Sequence, residues 1–100
     1  MSSAIVTVVA SFIAKESQIE NLKNALMALI VPTRQEEGCI SYDLQQSVNN
    51  PAKLTMIEEY RNQSALEYHK GQPYLANLIA QLDTLADNVD IEAYLTISES

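Results

Sequence analysis

The amino-acid sequence predicts an α+β domain with the element order β-α-β-β-α-β and one antiparallel four-stranded sheet. Three observations carry that prediction. Four stretches alternate apolar and other side chains with a period of two, as strands do. Stretches between them repeat apolar residues at spacings of three and four, as amphipathic helices do. The few chain breakers fall between these stretches: glycine occurs only at Gly38 and Gly71, and proline only at Pro32, Pro51 and Pro73.

The first strand runs from Ile5 to Ala14. Ile5, Val9 and Ile13 point one way, and Val6, Val8, Ala10 and Phe12 the other, so the strand must be covered on both faces. Ser17-Gln18-Ile19-Glu20 has the form of a capping box, in which the serine oxygen takes a free amide and the glutamate reaches back. Ile19, Leu22, Leu26, Leu29 and Ile30 then form an apolar stripe opposite Gln18, Asn21, Lys23 and Asn24. Gly38 stands where a left-handed residue is expected to end the helix.

Ile40, Tyr42 and Leu44 alternate with Ser41, Asp43 and Gln45 in a second strand. Val48-Asn49-Asn50-Pro51 is a turn by composition. Leu54, Met56 and Tyr60, alternating with Thr55 and Ile57, form the third strand. Ser64-Ala65-Leu66-Glu67 repeats the capping-box pattern and opens a helix, which Gly71 and Pro73 break. Pro73 lacks an amide hydrogen and suits the first position of a renewed helix. That helix carries Leu75, Leu78, Ile79, Leu82 and Leu85 to about Asp87, with Asn88 as its stop, and Ile91, Ala93, Leu95 and Ile97 alternate as the last strand. This order closes into a ferredoxin-like sheet with two right-handed crossovers and both helical layers on one face. The second apolar face of the first strand is expected to pack against another copy, sheet to sheet, in a homodimer.

One hundred residues predict a single domain spanning residues 1–100. The net charge is −7, and the six basic residues are scattered, so no clustered positive surface exists for nucleic acid or an anionic membrane. A lone cysteine, Cys39, excludes an internal disulfide and favours a reducing, cytoplasmic location. The apolar stretch Ala4 to Ala14 is far shorter than the ~20 residues that span a bilayer, and no Lys or Arg precedes it as in a signal peptide.

The candidates for chemistry are few. His69 is the one histidine and so the one side chain that titrates near neutrality unperturbed; at a helix end it is equally suited to capping or packing. Glu58 and Glu59 are adjacent on a strand and point to opposite faces. One of them faces a covered layer, where its pKa would rise unless it is partnered; near a strand end, either is also placed for a salt bridge to Arg61 or Lys53. Tyr42 and Tyr60 lie on neighbouring strands, where a phenol positions a substrate oxygen or completes a core. Tyr68 and Tyr74 flank the helix break and are placed to cover a pocket. Cys39 has no basic neighbour or nearby histidine to make a reactive thiolate. CxxC, HExxH and carboxylate clusters at metal-ligand spacing are missing, so neither a metal nor a cofactor is expected. Two glycines in the whole chain exclude a phosphate-cradling loop.

Two segments at this separation resemble a known family. Glu36-Glu37-Gly38-Cys39-Ile40-Ser41-Tyr42 looks like the E-x-G-C-x-x-Y stretch of the antibiotic-biosynthesis-monooxygenase family. Glu58-Glu59-Tyr60-Arg61-Asn62-Gln63-Ser64-Ala65-Leu66-Glu67-Tyr68-His69 looks like its E-x-W/Y-x-(D/N)-x-x-A-L-x-x-H stretch, with Pro73-Tyr74 following. The resemblance implies a dimeric α+β barrel with a pocket in each subunit. It implies catalytic roles for His69, Glu58 and Tyr60, and Tyr42, Met56, Tyr68 and Tyr74 are then candidates to bind substrate. Family members include cofactor-free monooxygenases of quinols or polyketide phenols, haem-degrading enzymes, and an enzyme acting on a phosphorylated quorum-sensing signal. The polyketide branch uses an Asn and a Trp on the third strand and a Tyr on the second helix; Met56, Tyr60 and Leu66 align there. The haem-degrading branch uses a Trp and a first-strand Asn, and this chain has neither. The resemblance thus implies a cofactor-independent monooxygenase of a small quinol or phenol, using molecular oxygen. Two other readings stand beside it: proton transfer on a small carbonyl compound, and a non-enzymatic dimer that binds a small ligand.

Overall fold

The computed structural model describes residues 4–98. The elements are β1 (Val6–Ala14), α1 (Ile19–Met27), α2 (Ile30–Arg34), β2 (Cys39–Gln46), β3 (Lys53–Tyr60), α3 (Gln63–Lys70), α4 (Pro73–Leu85) and β4 (Ala86–Leu95). The strands form one sheet in the order β2-β3-β1-β4, with every neighbouring pair antiparallel. This is the ferredoxin-like arrangement expected from the sequence. Among the described residues no helix is long and apolar enough to cross a membrane.

Residues paired across strands share a face, so the register assigns the layers. Val6, Val8, Ala10, Phe12 and Ala14 are buried under the helices, as are Leu54, Met56, Glu58 and Tyr60 of β3. With Leu22, Leu26 and Leu29 below and Leu78 and Leu85 of α4, they form the main core. A smaller cluster of Val6, Val8, Tyr60 and Leu66 lies under α3.

The opposite face is less apolar than the alternation of β1 predicts. Val9, Ile13 and Ile57 do point there, but among Thr7, Ser11, Thr55 and Glu59. Ser11 and Thr55 hydroxyls hydrogen-bond at 3.0 Å, and Ser41 Oγ donates to Glu59 at 2.9 Å. β4 adds Asp90 and Glu92 to this face, opposite Ser11 and Val9. The larger apolar exposure lies on the helix side of β4, where Ile91 and Leu95 remain 60% and 62% exposed.

Several local expectations need correction. Ser17 does not cap α1: it is held at φ 67°, and the N-cap is Gln18, with no side-chain hydrogen bond. α3 is capped by Asn62, whose side chain accepts from the Ala65 amide at 2.9 Å, and Ser64 lies inside the first turn. The long first helix divides at Ala28, and Pro32 sits in the first turn of α2, where amides have no intrahelical partner. Asn88 does not stop α4. That helix ends at Leu85, and β4 begins at once, because the outer edge of β1 needs backbone partners from Val6 to Ala14. Pro73 does open α4, as its missing amide suggests.

Gly38 is not left-handed either; no glycine has positive φ. It is required by proximity, since a Cβ there would stand 2.3 Å from the Cβ of Ala65 on α3. Glycine-to-alanine replacement at an ordinary φ stabilises a chain by limiting its unfolded state, so the clash decides the sign here. Gly38→Ala is expected to cost about 1–3 kcal/mol by overpacking. Denaturant unfolding of Gly38→Ala, Ala65→Gly and the double variant measures this. The double variant should recover most of the loss, and strict additivity would show that the two positions do not touch.

Candidate functional site

The helix-facing side of the sheet and the helices enclose a cavity of about 520 Å³. Its walls are mainly apolar: Val8, Ala10 and Phe12 of β1, Met56 of β3, Leu26 and Leu29, and Leu75, Leu78 and Leu82 of α4. Ile91 and Ala93 of β4 and Ile79 of α4 form an exposed rim. The polar side chains converge at one end: Glu58 of β3, Tyr42 of β2 and His69 of α3, with Lys70 at the margin. The register explains the clustering, since Tyr42 and Val8 both pair with Glu58 in one layer of the sheet.

His69 is 3% exposed, and its Nδ1 lies 2.9 Å from Oε2 of Glu36. The two side chains are equally enclosed, at 4% exposure each, so no solvent screens the contact. The same Oε2 accepts a short hydrogen bond from the Tyr74 hydroxyl. Oε1 of Glu36 is buried without a partner, as is the Thr33 hydroxyl one turn earlier. The other ring nitrogen, Nε2, makes no hydrogen bond among the described residues, and His69 lines the cavity. The imidazole is packed among rings, with centroids 5.3 Å from Tyr60, 5.6 Å from Tyr42 and 6.4 Å from Tyr74.

Glu58, not Glu59, faces the covered layer, and it is 6% exposed. Its Oε1 accepts from the Tyr60 hydroxyl at 2.6 Å. Burial raises its pKa to about 7; the Tyr60 hydrogen bond opposes the shift and the Glu36 carboxylate adds to it. Glu58 is therefore poised between acid and base near neutrality. Burial, with the neighbouring Glu58 charge second, drives the phenols of Tyr42 and Tyr60 far above their usual range, so both remain donors. Cys39 is half-buried, and burial pushes its thiol up to about 11, the opposite of an activated thiolate.

The structure thus brings together His69, Glu58, Tyr60, Tyr42 and Met56. Tyr74 joins them through Glu36 rather than by lining the cavity. Tyr68 does not join them: it is 59% exposed and lines a shallow polar groove beside Gly38, Arg61 and Asn62. Helix direction is the reason, since the residue preceding His69 is turned about 100° away from it. Glu36 is the member that residue-by-residue reading misses. Its signal was its place in the Glu36-to-Tyr42 motif, but its partner stands thirty-three residues on. Among the described residues no three His, Cys, Asp or Glu side chains gather as metal ligands.

The family model "Antibiotic biosynthesis monooxygenase" matches residues 5–81. The chain belongs to this family. It is 40% identical over 80 residues to a Mycobacterium tuberculosis protein named "Putative monooxygenase Rv0793", covering 80% of this chain and 78% of that one. The solved structure of Rv0793 superposes with a TM-score of 0.91 at 35% identity, over 97% of this chain and 99% of that one. PA3566 from Pseudomonas aeruginosa gives a TM-score of 0.91 at 31% identity, over 98% and 99% of the two chains. SO0527 from Shewanella oneidensis gives 0.91 at 31%, over 95% and 93%.

The raised Glu58 pKa has a consequence for stability. Between its ordinary 4.5 and about 7 the folded carboxyl keeps a proton that the unfolded chain has released. Its contribution is therefore complete below the lower value and is lost as pH rises through the upper one. Urea unfolding across about pH 5 to 8 should show the native chain losing stability relative to Glu58→Gln as pH rises. A difference between the two that does not change with pH would contradict the raised value.

Proposed function

We propose that this chain is a cofactor-independent monooxygenase of a small, uncharged quinol or electron-rich phenol. The observation that carries the reading is the polar end of an otherwise apolar cavity, which His69 and Glu58 both line. His69, held from behind by Glu36, takes a phenolic proton from the substrate. Tyr42 and protonated Glu58 donate to the oxygen on which charge develops. The deprotonated ring then reacts with dioxygen. One oxygen atom enters a ring C–H and the other leaves as water, so quinol and dioxygen give hydroxyquinone and water. The ring supplies all four electrons, two as quinol becomes quinone and two as C–H becomes C–OH, and no external reductant enters.

Charge supports an uncharged substrate. Among the described residues Lys70 is the one cation lining the cavity, and its ammonium lies 3.3 Å from Glu67 on the exposed side. A phosphorylated carbonyl compound would meet Glu58 with no cation free to hold it, although the same acid and base suit proton transfer on a neutral carbonyl compound. A passive binding module would leave Glu58 exposed or turn His69 outward, and both are buried on the cavity side.

Oxygen uptake by the purified protein over a panel of quinols and polyphenols tests the reading. Uptake above the autoxidation blank is expected, falling about 10²-fold or more in His69→Ala. A sulfonated hydroquinone of the same ring should not compete. Uptake that survives His69→Ala unchanged would refute the assigned base.

We also propose a cytoplasmic homodimer in which a second copy covers the exposed helix-side apolar strip of β4. Ile91 and Leu95 are the exposed residues that support it. Sedimentation velocity should give twice the chain mass for the native protein and the chain mass for Leu95→Glu. A native monomer would refute the dimer.

A further inference from the structure

We propose that Tyr74 and Glu36 are positioning residues that hold His69 as its Nδ1–H tautomer, leaving Nε2 bare toward the cavity. The inference rests on the reading of His69 as the base, and adds how that base is prepared.

Oε2 of Glu36 is approached by two groups, the Tyr74 hydroxyl from α4 and Nδ1 of His69 from α3, while Oε1 has no partner. A protonated carboxyl would distribute differently. Its carbonyl oxygen is the better acceptor and would attract Tyr74, leaving the other oxygen's O–H for the imidazole. Convergence of both groups on a single oxygen instead fits an ionised carboxylate, which only accepts. Tyr74 supplies its own proton to that contact, since burial and the Glu36 carboxylate push its phenol far above neutrality. The proton in the second contact then sits on Nδ1, and in the uncharged ring the lone pair is at Nε2.

The surroundings allow no other anchor. Glu36 has no Lys or Arg partner among the described residues; Arg34 is engaged with Asp43 at 2.9 Å and Arg61 with the Glu37 carbonyl at 2.9 Å. The groups facing the imidazole from the packed elements are Tyr42 of β2, Glu58 and Tyr60 of β3, and Tyr74 of α4. Tyr60 is already committed to Glu58 at 2.6 Å, so it does not compete for Nδ1. Two hydrogen bonds thus support a buried Glu36 that has no Lys or Arg partner among the described residues, and losing either weakens its hold on the ring.

A single histidine makes the test unambiguous. Nitrogen NMR of a histidine-labelled sample, without substrate, reports which ring nitrogen is protonated. The native chain should show protonated Nδ1 and bare Nε2. Glu36→Gln should shift the ring toward Nε2–H, and Tyr74→Phe should move the spectrum part of the way. On a substrate that supports oxygen uptake, kcat should fall about tenfold in Tyr74→Phe, with KM little changed, as expected for loss of one hydrogen bond to a charged group. A native ring found as Nε2–H would overturn the proposal whether or not oxygen is consumed. A tautomer unmoved in Tyr74→Phe would remove Tyr74 from it, and one unmoved in Glu36→Gln would remove Glu36. If Tyr74→Phe does not fold, Glu36→Gln alone decides. Absence of oxygen uptake with every quinol would instead strike the reaction and leave the tautomer result intact.

Discussion

The close approach of Gly38 to Ala65 sets the depth of α3 on the sheet, and the site depends on that depth. Ala65 and His69 are four residues apart on one helix and so share a face. Glu36 lies two residues before Gly38. Bringing the glycine backbone against the Ala65 methyl therefore brings Glu36 to His69, one helical turn further on. Arg61 reinforces the same junction, its amide donating to the Gly38 carbonyl and its guanidinium to the Glu37 carbonyl, both at 2.9 Å. A larger residue at position 38 would lift the helix and lengthen a contact that works only at hydrogen-bond range.

Two buried carboxyls within one small domain would ordinarily repel each other, and the fold gives them different partners. Glu36 has an imidazole and a phenol on one oxygen, whereas Glu58 has a single phenol. Their environments thereby differ, and burial leaves Glu58 as a carboxyl that titrates near neutrality. An acid and an oriented base can face the same cavity without either acquiring a metal or a cation. The three tyrosines act less as reactive groups than as fixed donors, since burial keeps their protons in place.

The remainder of the cavity is shaped by how the layers close. α4 covers one side of β1 but stops short of β4, whose helix-side residues remain open at the rim. Apolar substrate atoms can lie along Phe12, Leu78 and Leu82 while the polar end reaches Glu58 and His69.

Strand and helix identity were legible in the chain because burial writes a period of two or near 3.6 into the apolar residues. The order of elements, the renewed helix at Pro73 and the paired motifs followed from the same local information. Helix starts were less legible: Ser17 and Ser64 stand in cap-like patterns, yet Gln18 and Asn62 occupy the caps, because the backbone direction at each start is set by packing. The end of α4 is not legible for a similar reason, since pairing to the edge of β1 outweighs helical spacing after Leu85. What the sequence alone determined was the fold class, the family and the identity of His69 and Glu58 as chemical candidates. Only the tertiary structure decided that Glu58 rather than Glu59 is covered, and that Glu36 and Tyr74 meet at His69. Those outcomes depend on register and helix depth, which are set by contacts between residues far apart in the chain, and no local pattern encodes them.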